Sequence, residues 1–296
     1  MPTVSAPIRA SFLMLAAVFI SALSNCLIRL IADQGIHAFE IVLFRNVFGL
    51  LSVAVIALWV DRALPRTRWM GRIGLSCVLH VGSMLTFILG LTLVPLNESA
   101  ALSFAGPLFV TIGAALFLGE TVRARRWSAV GAGFVGVLII LRPGIVPVGF
   151  GAAMILVSTM FGAAVTLMFK NFSAGERPLT LIFYQCLIST FLSAPFAAAV
   201  WITPDAYGFV ILVLTGVLGT ATWLAFLRAC MLVDTSAIMP LEFAKLPIIA
   251  LLAYLMFGET PDEWVWLGAA VIFASNLYIA HREAAIARRA VVGDGR

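Results

Sequence analysis

Charge is scarce in this sequence. Acidic and basic residues occupy only 11% of 296 positions, apolar residues occupy 62%, and the mean hydropathy is +1.08. Soluble domains carry about 25% charge and roughly 45–50% apolar residues. The scarcity excludes a soluble globular chain and predicts a polytopic membrane protein. Cysteine is sparse too. Cys26, Cys77, Cys186 and Cys230 stand singly in apolar runs, with no CxxC or Cys/His spacing, so they read as small buried hydrophobes rather than disulfide partners or metal ligands. GxxxxGK[ST] is missing, which excludes a P-loop ATPase within the chain. HExxH, GxSxG and an intramembrane aspartate pair are missing as well, so catalysis is disfavoured and a gradient or exchange remains as the driving force. No cofactor and no metal are expected.

What is present is a series of apolar runs, each long enough for a hydrocarbon core of about 30 Å. Breaks at charge, Pro and Gly divide them into ten spans, near 10–31, 38–60, 70–93, 97–118, 126–142, 149–170, 178–201, 207–231, 235–257 and 263–280. The first follows Arg9 and contains the small residues "SALS", yet it is too long for a signal-peptide core and reads as a retained helix. Connections are short, the longest being 61–69 and 171–178, which leaves no room for a soluble domain.

The formal charge of +5 and the pI of about 9.4 are explained by topology, because the basic residues are spread between helices rather than gathered on a face that would take nucleic acid. With a cytoplasmic N-terminus, the inner face receives Arg9, Arg62, Arg66, Arg68, Arg72, Arg123, Arg125, Arg126, Lys170, Arg177, Arg282, Arg288, Arg289 and Arg296. The outer face receives Arg142 and Arg29 with Asp33, Glu98, Asp205, Glu259, Asp262 and Glu263. Both termini are thus expected in the cytoplasm. Trp59, Trp69 and Trp127 fall at the inner boundary, and Trp201, Trp264 and Trp266 at the outer one, where indoles prefer to lie.

The chain also repeats itself. "FLGET" at 117–121 matches "MFGET" at 256–260, and the same offset pairs Leu102, Phe104 and Ala105 with Leu241, Phe243 and Ala244, and Trp127 with Trp266. The expected organisation is a duplication of five helices, residues 1–148 and 149–296, forming a single membrane domain. Five is odd, so the second copy is inverted. Accordingly the first Gly-Glu-Thr is followed by "VRARRW" and the second by "PDEWVW". Inverted repeats belong to secondary transporters, where rocking of two near-equivalent halves exchanges access.

Ten helices in a 5+5 inverted duplication, a Gly-Glu-Thr closing the fourth helix of each half, "FRN" at Phe44–Asn46 and the Gly-rich "VGAGFVGVLI" at 130–139 resemble the EamA-type branch of the drug/metabolite transporter superfamily. The resemblance covers nearly the whole chain. Within that branch the sequence is most similar to bacterial YddG-type amino acid exporters. The resemblance implies an all-α inner-membrane protein that exports amino acids, aromatic and other apolar ones included, by alternating access. The alternative is uptake or export of another small metabolite: a vitamin, a nucleoside derivative or a drug. A membrane-embedded enzyme is disfavoured. Expected partners are the small-molecule substrate and the lipid bilayer. Both orientations are already fused in one chain, so a monomer suffices.

The candidate site starts from "LEFAKLP" at 241–247, which puts Glu242 and Lys245 inside the ninth span. An unpaired charge at such depth costs at least about 2.5–3.5 kcal/mol, so both are expected to face protein or a wet cavity. Their i,i+3 spacing permits a structural ion pair. The functional reading gives Lys245 a substrate carboxylate and Glu242 an ammonium group or an exchanging proton. Pro240 and Pro247 break this helix, and Pro107, after Ser103, breaks the fourth at nearly the matching place; these prolines are candidate hinges. On the third and eighth helices His80, Ser83, Met84 and Phe87 correspond to Gly219, Thr222, Trp223 and Phe226. Ser83 and Thr222 either line the cavity or bond locally. Met84, Phe87, Trp223 and Phe226 offer an apolar wall or plain packing. His80 is a proton carrier or a bonded core histidine. Asn25 and Tyr184 complete the set, each also able simply to join helices. Arg45 of "FRN" reads as a snorkelling structural partner ahead of an anion clamp.

Overall fold

A computed structural model describes residues 6–60, 70–117, 124–143, 149–172, 178–233 and 238–293. The loop 61–69, the first Gly-Glu-Thr at 119–121, and Arg62, Arg66, Arg68, Trp69, Glu120, Arg123, Arg177, Asp234 and Arg296 of the topology argument lie outside the described residues. So do the side chains of Arg72, Arg125, Arg126, Lys170, Pro240, Arg282, Arg288 and Arg289.

The regular elements are all helical: α1 (Ala6–Asp33), α2 (Ala38–Val60), α3 (Met70–Leu93), α4 (Leu96–Ser103), α5 (Gly106–Phe117), α6 (Ala124–Leu141), α7 (Phe150–Phe172), α8 (Pro178–Ala198), α9 (Ala206–Leu232), a 3-10 helix (Met239–Ala244), α10 (Lys245–Phe257) and α11 (Glu263–Gly293). Helices are the answer to an apolar solvent because they satisfy every interior backbone group within one segment. Among the described residues, seven spans are long and apolar enough to cross a membrane, with α4 and α5 together forming one of them, Leu96–Phe117. Hydroxyls inside the helices bond backwards, as Ser52 donates to the Phe48 carbonyl at 2.7 Å and Thr86 to that of Gly82 at 2.7 Å. That habit removes polar groups from lipid without a partner helix.

Two of the expected spans are broken. The fourth divides at Phe104 and Ala105, and the ninth changes from 3-10 to α-helix between Ala244 and Lys245. α5 begins at Gly106 and α10 at Lys245, 139 positions apart, the same offset as the sequence repeat. The rings of Phe104 and Phe243 stack at 4.4 Å where the two breaks meet. The break in the first half frees the Phe104 carbonyl, which accepts the Asn276 amide at 2.9 Å from α11. Pro107 and Pro247 sit just inside the helices that follow the breaks, where a missing N–H costs nothing. Pro240 lies in the 3-10 helix before the second break.

Packing brings early helices onto late ones. α3 lies on α7 as α9 lies on α1, α5 on α7 as α10 on α1, and α2 on α9 as α8 on α3, while α6 meets α11, α2 meets α8 and α4 meets α10. Small residues allow these close crossings: a Cβ at Gly136 would stand 2.8 Å from the Gly268 carbonyl oxygen, so α6 and α11 touch backbone to backbone.

One end of the bundle is laced by polar contacts between early and late residues. Arg142 pairs with Asp262, the Glu259 carboxylate accepts the Leu96 N–H at 2.9 Å, and Glu40 accepts the Ile202 N–H at 3.1 Å. The second Gly-Glu-Thr therefore has a structural explanation: Gly258, at φ +68°, ends α10 in a left-handed turn, and Glu259 caps the start of α4.

Candidate functional site

The helices leave a central cavity of about 210 Å³ between α1, α2 and α3 on one side and α8, α9 and α10 on the other. Of the residues singled out from sequence, Asn25, His80, Ser83, Met84, Phe87, Trp223 and Lys245 stand in its walls. Lys245 reaches the cavity because it opens α10 immediately after the 3-10 turn. Trp223 keeps 44% of its surface accessible and meets Phe226 edge-on at 5.9 Å. The Ser83 hydroxyl donates to the Ser158 carbonyl at 2.9 Å, so it both faces the cavity and ties α3 to α7. Met84 sulfur accepts from Asn46 Nδ2 at 3.6 Å.

Five other candidates are absent from the walls. The Ser103 hydroxyl turns back to the Ser99 carbonyl at 2.7 Å, and that of Thr222 to Leu218 at 2.9 Å, the local bonding that competes with any lining role. Phe226 packs with Ala10, Met14 and Val18 of α1. Tyr184 packs beside Val53 and meets Phe183 edge-on at 5.4 Å, while its helix presents Gln185 and Cys186 to the cavity instead. Glu242, in the 3-10 helix, acts on Lys245 electrostatically but forms no ion pair with it among the described residues. The break in the helix puts the two side chains on different surroundings, which the i,i+3 spacing did not anticipate.

Arg45, read from sequence as a snorkelling partner ahead of an anion clamp, lies in the cavity wall beside Asn46. Its place is made by a glycine on the facing helix: a Cβ at Gly219 would come within 3.1 Å of Arg45 Nε and 3.3 Å of one terminal nitrogen. Gly216, one turn earlier, lets α9 reach the Arg45 backbone itself, with a built Cβ only 2.5 Å from Phe48 Cβ and 3.1 Å from the Arg45 carbonyl. The signal was available in "FRN" and in the pairing of His80 with Gly219 at the repeat offset. Gln185 and Thr220, also in the walls, carried no such signal. Arg45 acts electrostatically on both His80 and Lys245, which places the three groups in one field.

The profile of the EamA-like transporter family matches residues 8–142 and again 149–280. The chain belongs to this family. It is a multi-pass protein of the inner membrane. It is similar to the S-adenosylmethionine uptake transporter of Rickettsia prowazekii, 28% identical over 84% of each chain. It is also similar to the riboflavin transporter of Rhizobium johnstonii, 32% identical over 75% of this chain and 74% of the relative. The pseudopaline exporter CntI of Pseudomonas aeruginosa is 23% identical over 89% of this chain and 93% of its own length. A solved crystal structure shares the fold at a TM-score of 0.62 with 15% identity, covering 92% of this chain and 98% of that one. These relatives support the family but not the narrower resemblance to YddG-type exporters, since they are named for metabolites other than the common amino acids.

Proposed function

We propose that the protein carries a small metabolite of the vitamin or nucleoside-derivative class across the inner membrane by alternating access. The carrying observation is a single cavity walled by helices of both halves, with polar groups from α1, α2, α3, α8 and α10 and an exposed indole from α9. The relatives' named substrates, S-adenosylmethionine and riboflavin, both present a flat heterocycle for which Trp223 and Phe87 offer aromatic surface. The two profile matches and the paired helix contacts support the reading of residues 1–148 and 149–296 as inverted five-helix copies with both termini cytoplasmic. A monomer is sufficient for this mechanism. Transporter names among the relatives favour carriage over catalysis.

Amino acid export is the competing substrate class, favoured by Lys245 and its electrostatic partner Glu242, which match a zwitterion. Counterflow in proteoliposomes with labelled riboflavin, S-adenosylmethionine, tryptophan and phenylalanine separates the two. Saturable flux of riboflavin or S-adenosylmethionine, lost in Lys245→Ala, is the expected result. Flux confined to the amino acids would replace the proposed substrate class, and absence of flux for a broad metabolite panel would overturn transport itself.

A further inference from the structure

Among the described residues, the cavity walls contain Arg45, Lys245 and His80 but no aspartate or glutamate. Among the described residues, none of these three side chains has a hydrogen-bond or ion-pair partner in the protein. Glu242 influences Lys245 from outside the walls, and among the described residues no carboxylate forms an ion pair with Arg45. A fixed charge inside a membrane is retained where it meets a counter-charge or a function, and among the described residues no carboxylate pairs with the guanidinium. A fourth group converges on the same space. Asn25 is 4% exposed, lines the cavity, and has a side-chain nitrogen with no hydrogen-bond partner. A buried donor left unpaired is costly, and a ligand acceptor would satisfy it.

The placement of Arg45 is also built. Gly219 leaves space for the guanidinium where any side chain would crowd it, and the close approach of α9 at Gly216 holds α2 at that height. Planar guanidinium binds carboxylate or phosphate in a bidentate fashion, whereas an ammonium adds a movable point charge.

We infer that Arg45, Lys245 and the Asn25 amide form an oxyanion subsite, so that the transported metabolite carries a carboxylate or phosphate beside an aromatic group that lies against Trp223. This deepens the proposed transport function and rests on it for the word "transported"; the binding claim stands on the cavity alone. The bound oxyanion would receive donors from both halves, α1 and α2 on one side and α10 on the other. Occupancy would thereby couple substrate binding to the relative position of the halves.

Equilibrium binding to the purified full-length protein in nanodiscs tests this without requiring flux. The probes are matched pairs: 1-naphthylacetate against 1-naphthylacetamide, and 1-naphthyl phosphate against 1-naphthol. The expected result is tighter binding by at least one anion, by about tenfold or more over its neutral partner, as charge-assisted hydrogen bonds imply. The favoured pair tells carboxylate from phosphate. Arg45→Gln should erase the difference within the favoured pair. Should that variant fail to fold, Gly219→Val displaces the guanidinium without removing its charge and should reduce the preference for the anion. Equal affinity within both pairs, no binding by either anion, or a preference that survives both variants would overturn the subsite. Anion preference without flux would instead leave the subsite standing and remove the transport reading.

Discussion

Two cations in the cavity were legible to different degrees, and the difference lies in what surrounds each residue. Lys245 announces itself because Glu242 and two prolines interrupt an apolar run. Arg45 sits seven residues into α2, with His37 and Glu40 before it, and at that depth chain order alone is equally compatible with a side chain reaching for the interface. What decides its direction is Gly219, 174 positions away, whose missing side chain opens the space. The same close approach makes a prediction about Gly216. Replacing it by Ala places a methyl 2.5 Å from Phe48 Cβ and against backbone atoms of Arg45 and Gly49, overpacking that costs about 1–3 kcal/mol. Gly216→Ala should lower the temperature at which detergent-solubilised protein loses its monodisperse peak. Gly74→Ala, where nothing lies within 4 Å, should not lower it; equal behaviour of the two would show that the α2 and α9 contact is looser than described.

Proline predicts breaks in these helices, yet of the three prolines only Pro240 precedes a break, and Pro107 and Pro247 follow theirs. Pro107 is the second residue of α5 and Pro247 the third of α10, positions where proline fits the first turn. The discontinuities themselves fall at Phe104 and Ala105 and at Ala244, held by the stacked Phe104 and Phe243 rings and by the Asn276 amide on the Phe104 carbonyl. Pro247→Ala is therefore expected to change thermal stability by no more than about 0.5 kcal/mol. Asn276→Leu should cost more, about 1–3 kcal/mol, because it leaves a buried carbonyl unpaired. Chemical-denaturation midpoints of the two variants in the same detergent check the order; a larger loss from Pro247→Ala would return the hinge to the proline.

Alternating access requires that the laced end of the bundle part. Arg142 and Asp262, at the ends of α6 and α11, join the two halves there, with the Glu259 cap on Leu96 beside them. A disulfide between Cys residues placed at 142 and 262 should abolish flux in proteoliposomes, and reductant should restore it. Uninterrupted flux through the cross-linked protein would mean that this end stays closed throughout the cycle. The charge-reversed pair Arg142→Asp with Asp262→Arg should retain more flux than either single reversal, because the attraction depends on opposite sign rather than on which helix carries which charge.

Composition and periodic breaks determined the class of this protein: so few charges and so many apolar runs leave only a helical membrane bundle, since backbone groups in lipid must be satisfied within each segment. The internal offset likewise announced two related halves, because matching residues recur whatever the packing. Sequence also marked Lys245, His80, Asn25 and Trp223, which interrupt their surroundings chemically. Tertiary structure alone decided which faces meet. A helix of nearly uniform hydropathy gives no sign of its inward side, so the sequence points to Tyr184 where Gln185 and Cys186 line the cavity, and to Phe226 alongside Trp223 where Trp223 alone of the two does. Helix orientation there is decided by steric fit against distant partners, such as Gly219 beneath Arg45, and that information is distributed over positions far apart in the chain.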